Sequence, residues 1–133
     1  MRFGLIGYGA WGKHHAAAFR KVPGAVLAAI ACRSEASAVA ARQEFPGVPV
    51  HRDYRELLRQ ADIDAVDIVV PNDLHAEIGV AALEHGKDVL LEKPMAPTPE
   101  ECDRLIAAAR AGGRVLSIGH EFRLSTQWAR SRS

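Results

Sequence analysis

The chain opens with a short apolar strand, Arg2-Phe3-Gly4-Leu5-Ile6, that runs directly into Gly7-Tyr8-Gly9-Ala10-Trp11-Gly12 and then a helical pattern. In a strand-turn-helix of this form Gly7 permits the tight turn and Gly9 lets the backbone approach a pyrophosphate with no side chain between them. Gly12 allows the helix to pack closely on the strand. The helix aims its free N–H groups and positive dipole end at the phosphates. Alone, a GxGxxG string also fits a structural turn or a site for another adenosyl ligand. Here it follows an apolar strand, opens a helix and leads to a second strand within a unit of about 30 residues, which reads as a dinucleotide site. Gly7, Gly9, Ala10, Trp11 and Gly12 are its candidate cofactor-binding residues.

Apolar β-type runs alternate with helical patterns along the rest of the chain, the pattern of an α/β fold whose parallel sheet carries helices on both faces. Strands are expected near residues 2–7, 26–32, 49–51, 65–70, 88–92 and 114–118, the third only a stub at Pro49-Val50-His51. Helical spacing places Tyr54, Leu57, Leu58 and Ala61 on one face, Leu74, Ile78, Ala81 and Ala82 on another, and Cys102, Leu105, Ile106 and Ala109 on a third. Thr98, Pro99 and Glu101 form the start signal of the last helix, Gly112-Gly113 its stop, and Gly86 a left-handed end to the helix before it. The expected architecture is one doubly wound Rossmann domain, residues 1–120, with strand order 3-2-1-4-5-6, followed by 121–133 as the start of a connector.

A length of 133 residues suits a single domain that buries roughly two thirds of the surface its unfolded chain exposes. With a formal net charge of +1, nothing in the composition calls for a nucleic-acid or membrane partner. No apolar run approaches the ~20 residues of a membrane span, and the N-terminus enters a strand with no room for a signal peptide. Cys32 and Cys102 lack metal-ligand spacing and read as reduced thiols of a cytoplasmic protein.

The remaining motifs fall at the expected carboxyl ends of strands, where ligands of such sheets bind. After the second strand, Cys32 stands about 20 residues past the last glycine, where NAD sites place an acid on the ribose 2′-hydroxyl. This chain has Cys32-Arg33-Ser34 there, and a guanidinium with a hydroxyl suits a 2′-phosphate, favouring NADP over NAD. In the other reading Arg33 stacks on adenine or lies in solvent, and Glu35 supplies the carboxylate. After the fourth strand come Pro71, Asn72, Asp73 and His75. Asn72 or Asp73 either caps the next helix or contacts cofactor, and His75 is a first-turn surface residue or a site residue. After the fifth come Glu92, Lys93 and Pro94. Lys93 at a central strand end can donate to a substrate hydroxyl or pair structurally with Glu92. His14, His15, His51 and His85 have no ligand spacing to one another, and His120 is either a satisfied strand-end histidine or catalytic.

Together GYGAWGKHHAAAF, DAVDIVVPNDLHAEIGVAALEHGKDVLLEKPMA and GHEFRLSTQW resemble the N-terminal domain of the glucose-fructose oxidoreductase / inositol dehydrogenase / MocA family, over residues 1 to about 128. The resemblance implies an NAD(P)-dependent oxidoreductase that transfers hydride at the nicotinamide C4 to or from a sugar, polyol or related carbonyl compound. On it, Lys93 is catalytic, orienting substrate and taking part in proton transfer. Glu92 faces the nicotinamide ribose, Asn72 and His75 line the cofactor cleft, Lys93-Pro94 is a candidate cis bond, and Arg123 matches an arginine after the sixth strand. Family members carry a second, substrate-holding domain with a catalytic Asp and His, and this sequence shows none. The chain is therefore expected to bind a dinucleotide, to lack efficient turnover alone, and to meet a substrate domain, subunit or second copy of itself. A stand-alone dinucleotide-sensing or regulatory module, or a domain that serves only as an interaction surface, are the competing readings.

Overall fold

A computed structural model of the chain describes residues 1–92 and 95–119. Its strands are β1 (Arg2–Ile6), β2 (Val26–Ala31), β3 (Val50–His51), β4 (Ala65–Ile68), β5 (Asp88–Leu91) and β6 (Leu116–Ile118), joined in one sheet of order β3-β2-β1-β4-β5-β6. Every pairing is parallel. The chain reverses direction of travel at β1, so the expected doubly wound order is the one observed. β4 and β6 are shorter than expected, and β3 is the stub that Pro49-Val50-His51 promised.

The helices are α1 (Ala10–Phe19), α2 (Glu35–Glu44), α3 (Tyr54–Leu58), α4 (His75–Glu84) and α5 (Pro99–Gly112). Side chains alternate across each strand, and the two sheet faces take different helices. Ile6, Ala31, Val66, Ile68, Val89 and Leu91 meet Leu57, Leu58, Ile78, Leu83 and Leu105 of α3, α4 and α5. On the opposite face Leu5 and Ile30 pack with Ala16, Ala38 and Ala41 of α1 and α2, while Phe3 and Leu90 pack with Phe19. Gly12, His15, Ala16 and Phe19 are the buried stripe of α1, spaced i, i+3, i+4, i+7.

Side-chain caps start three of the five helices, α2, α3 and α5. Thr98 Oγ1 accepts from the Glu101 N–H (3.2 Å), Pro99 opens α5, and Gly113 closes it in the left-handed region at φ +63°. Ser34 Oγ accepts from the Ser37 N–H at the start of α2, and Asp53 Oδ1 from the Arg55 N–H at the start of α3. Two expectations need correction. Ala61 is exposed and lies past the end of α3, which stops at Leu58. Neither Asn72 nor Asp73 caps a helix through its side chain: they form a single 3-10 turn, Asn72–Leu74, that leads into α4. Among the described residues no helix is long and apolar enough to cross a membrane.

Candidate functional site

β1 and β2 end side by side, and the turn after β1 is fixed from both flanks. The Gly7 N–H donates to Ala31 O (2.8 Å) and the Val69 N–H to Ile6 O (2.8 Å). Gly7 sits at φ +104°, and a Cβ there would lie 2.1 Å from Val69 O, so only glycine makes this turn. At Gly12 a Cβ would lie 2.3 Å from Gly7 O, which is how closely α1 packs under the turn. Gly9 differs: it is exposed, and a Cβ there would meet nothing within 4 Å. It is also the N-cap of α1, with no side chain capping the free N–H groups and no acid in the first turn. Tyr8 ties the loop to α2, its hydroxyl donating to the Glu44 carboxylate and its ring standing edge-on to Phe45. Burial, then the neighbouring Glu44, raises the Tyr8 pKa above the ordinary phenol value.

Above this loop lies a cavity of about 640 Å³ at the carboxyl ends of β1, β2 and β4. Of the sequence-predicted residues, Gly7, Gly9, Cys32, Arg33, Ser34 and Pro71 line it. Burial pushes the Cys32 thiol up, against the opposing pull of Arg52 and Arg42, so the wall holds a neutral thiol where an acid would serve NAD. Arg52, in the turn before α3, and Arg55, in its first turn, also line the cavity, and neither was expected from the sequence. Arg52 donates from Nη2 to Arg33 O at 2.6 Å, fixing the turn after β2, and pairs through Nη1 with Glu35. The Glu35 carboxylate is thus held in an exposed ion pair. The signal for Arg52 was its place two residues before the helix pattern at Tyr54, beside the stub strand that abuts β2.

Other predicted residues stand elsewhere. Trp11 is 73% exposed on the first turn of α1, where it neighbours His14, and Gly12 lies beneath the turn rather than in the cavity. Ala10 opens α1. Asn72 is half-buried in its 3-10 turn and outside the cavity lining. His75 is not a surface residue: it is buried and outside the lining of this cavity, with Nδ1 2.9 Å from Met95 O and Nε2 3.1 Å from Val70 O. Its ring stands between the backbone after β4 and the backbone after β5. Lys93, Pro94, His120 and Arg123 lie outside the described residues.

Glu92 follows β5, and the sequence reading set it against Lys93. The structure gives it a partner on another element: His15 Nε2 lies 2.8 Å from Glu92 Oε1, and His15 Nδ1 lies 2.5 Å from Asp67 Oδ2. His15, unremarkable by spacing to other histidines, is 3% exposed at the centre of this trio. Two signals pointed to it: its position on the buried stripe of α1, and an acid, Asp67, in a strand whose neighbours Val66 and Ile68 are core.

A glycine turn open at Gly9, an uncapped helix N-terminus and a cavity rimmed by guanidinium groups accept a pyrophosphate-linked ligand. Fold and site together define a nicotinamide-dinucleotide-binding domain of an oxidoreductase. The chain belongs to the Gfo/Idh/MocA oxidoreductase family: the family's NAD-binding Rossmann fold matches residues 1–120. It is 38% identical over 117 residues to inositol 2-dehydrogenase 2 of Saccharopolyspora erythraea, an alignment covering 87% of this chain and 34% of that protein. A biliverdin reductase from Synechocystis sp., solved with biliverdin and NADP+, superposes with TM-score 0.83 and 33% identity, covering 92% of this chain and 39% of the other. A 3-ketoreductase from Actinomadura kijaniata, solved with TDP-benzene and NADP, gives TM-score 0.81 and 36% identity over 89% and 37% of the two chains. The chain therefore spans little more than a third of the length of these relatives.

Proposed function

We propose that this domain prefers NADP to NAD and forms the cofactor half of an oxidoreductase acting on a sugar, polyol or related carbonyl compound. The observation that carries the reading is the cavity beyond β2, walled by Cys32, Arg33 and Ser34 and rimmed by Arg52 and Arg55, with Glu35 held by Arg52. Guanidinium groups bind a phosphate bidentately and gain little from a bare ribose hydroxyl. Bound there, the dinucleotide supplies hydride chemistry at the nicotinamide C4. The protein's part is positional: the α1 N-terminus and Gly9 backbone take the pyrophosphate, and Glu92 accepts from a hydroxyl of the nicotinamide-side ribose. Lys93, next in the chain, moves a proton at its Nζ to or from the substrate oxygen. Substrate recognition falls to a further domain or subunit, consistent with the length of the relatives.

The test is Arg33→Ala, titrated with NADPH and NADH. Loss of a charged phosphate contact is expected to weaken NADPH about tenfold to a hundredfold and to leave NADH within about twofold. Equal losses for both would sink the 2′-phosphate assignment.

A further inference from the structure

The trio Asp67, His15 and Glu92 joins β4, α1 and the residue that follows β5 through their side chains. Each ring nitrogen of His15 faces a carboxylate oxygen, at 2.5 Å on Asp67 and 2.8 Å on Glu92. Donating to both at once takes the doubly protonated ring. Burying such ions in place of apolar side chains is often no gain in stability, so the arrangement calls for another account. Among the described residues no group of His, Cys, Asp and Glu is set to hold a metal ion. What the trio does is orient. Asp67 and His15 are almost wholly buried, whereas the Glu92 side chain is 32% exposed, held by one oxygen on the side of α1. Asp67 holds one nitrogen of the ring, and the other holds Oε1 of Glu92.

We infer that His15 is a positioning residue for the redox end of the cofactor. Through Glu92 it couples the helix that takes the pyrophosphate to the carboxylate that takes the nicotinamide-side ribose. The inference rests on the dinucleotide reading above and assigns that reading a new residue.

The two amides that replace histidine separate its two bonds. Asparagine places a donor near the Nδ1 position and keeps Asp67 satisfied; glutamine reaches the Nε2 position and keeps Glu92 held. The ligands are the tighter-binding of NADPH and NADH, and the matching adenosine half, adenosine 2′,5′-bisphosphate or AMP, which lacks the nicotinamide ribose. His15→Asn is expected to weaken the whole dinucleotide about tenfold and to leave the adenosine half unchanged. His15→Gln is expected to restore dinucleotide affinity although its buried Asp67 has lost a donor and its melting temperature is lower. Should His15→Gln not fold, Glu92→Ala decides: His15→Asn added to it brings no further loss. Equal weakening of both ligands by His15→Asn, affinity that tracks melting temperature across the variants, or additive losses in the double variant would each overturn the inference. A wild-type chain that binds neither ligand overturns the dinucleotide reading itself, a result distinct from all of these.

Discussion

Three glycines within six residues do three different things, and substitution separates them. Gly12→Ala drives a Cβ against Gly7 O and is expected to cost on the order of 1–3 kcal/mol by overpacking, read as a lower urea midpoint. Gly9→Ser has open space around its new side chain, and serine is at least as good an N-cap as glycine. Stability is expected to hold within about 0.5 kcal/mol while NADPH affinity falls about tenfold or more, because the backbone no longer meets the pyrophosphate directly. A Gly9→Ser protein that binds normally would contradict this division of labour. Tyr8 makes a pH-dependent contribution. Its folded pKa is raised above the ordinary phenol value near 10, so the unfolded chain gives up the phenol proton first. Its stabilisation is complete below pH ~10 and is lost as pH rises through the folded value. Tyr8→Phe is expected to cost about 1 kcal/mol at pH 8, with the gap to wild type closing in urea titrations carried to pH 11. A gap independent of pH would contradict it. Residue roles were legible where backbone geometry dictated them, as at Gly7 and Gly12. They were not where a side chain reached across the fold: the partner of His15 on β4 is 52 residues away, and the carbonyls that hold His75 belong to two separate loops.

At the scale of elements, the start of α5 gives the cleanest case. Thr98, Pro99 and Glu101 predicted its first turn, and Thr98 Oγ1 indeed accepts the Glu101 N–H and donates to the Glu101 carboxylate. Thr98→Ala is expected to remove about 1 kcal/mol, a fall of several degrees in Tm; an unchanged Tm would mean that tertiary packing alone sets this helix end. Elsewhere local rules were outweighed. Asn72 and Asp73 are good capping residues, yet the chain leaving β4 makes a 3-10 turn first, and α4 begins at His75 with no side-chain cap. Its buried ring, with one nitrogen 2.9 Å from Met95 O and the other 3.1 Å from Val70 O, stands at that start instead. α3 ends at Leu58 once Leu57 and Leu58 have entered the core, so Ala61 continues a periodicity that the backbone abandons. Strand positions fared better, because fully buried parallel strands read as near-continuous apolar runs whatever their partners.

The order of the whole sheet was legible for the same reason: alternating strands and helices with right-handed crossovers leave few other arrangements, and the ligand end follows from where the order reverses at β1. The arginines at the cavity rim were less so, since Arg52 and Arg55 reach it only because the short β3 lies against β2. Thermal unfolding with increasing NADPH and NADH shows whether the cavity over the glycine turn takes a nicotinamide dinucleotide. A ligand that binds only the folded chain stabilises it by about 2.7 kcal/mol at a hundredfold excess over Kd, a rise in Tm of roughly 10 °C for a domain of this size. That rise is expected for both cofactors, at lower concentration for NADPH, and in Gly9→Ser only at concentrations about tenfold higher or more. A Tm that neither cofactor moves at millimolar concentration would contradict it.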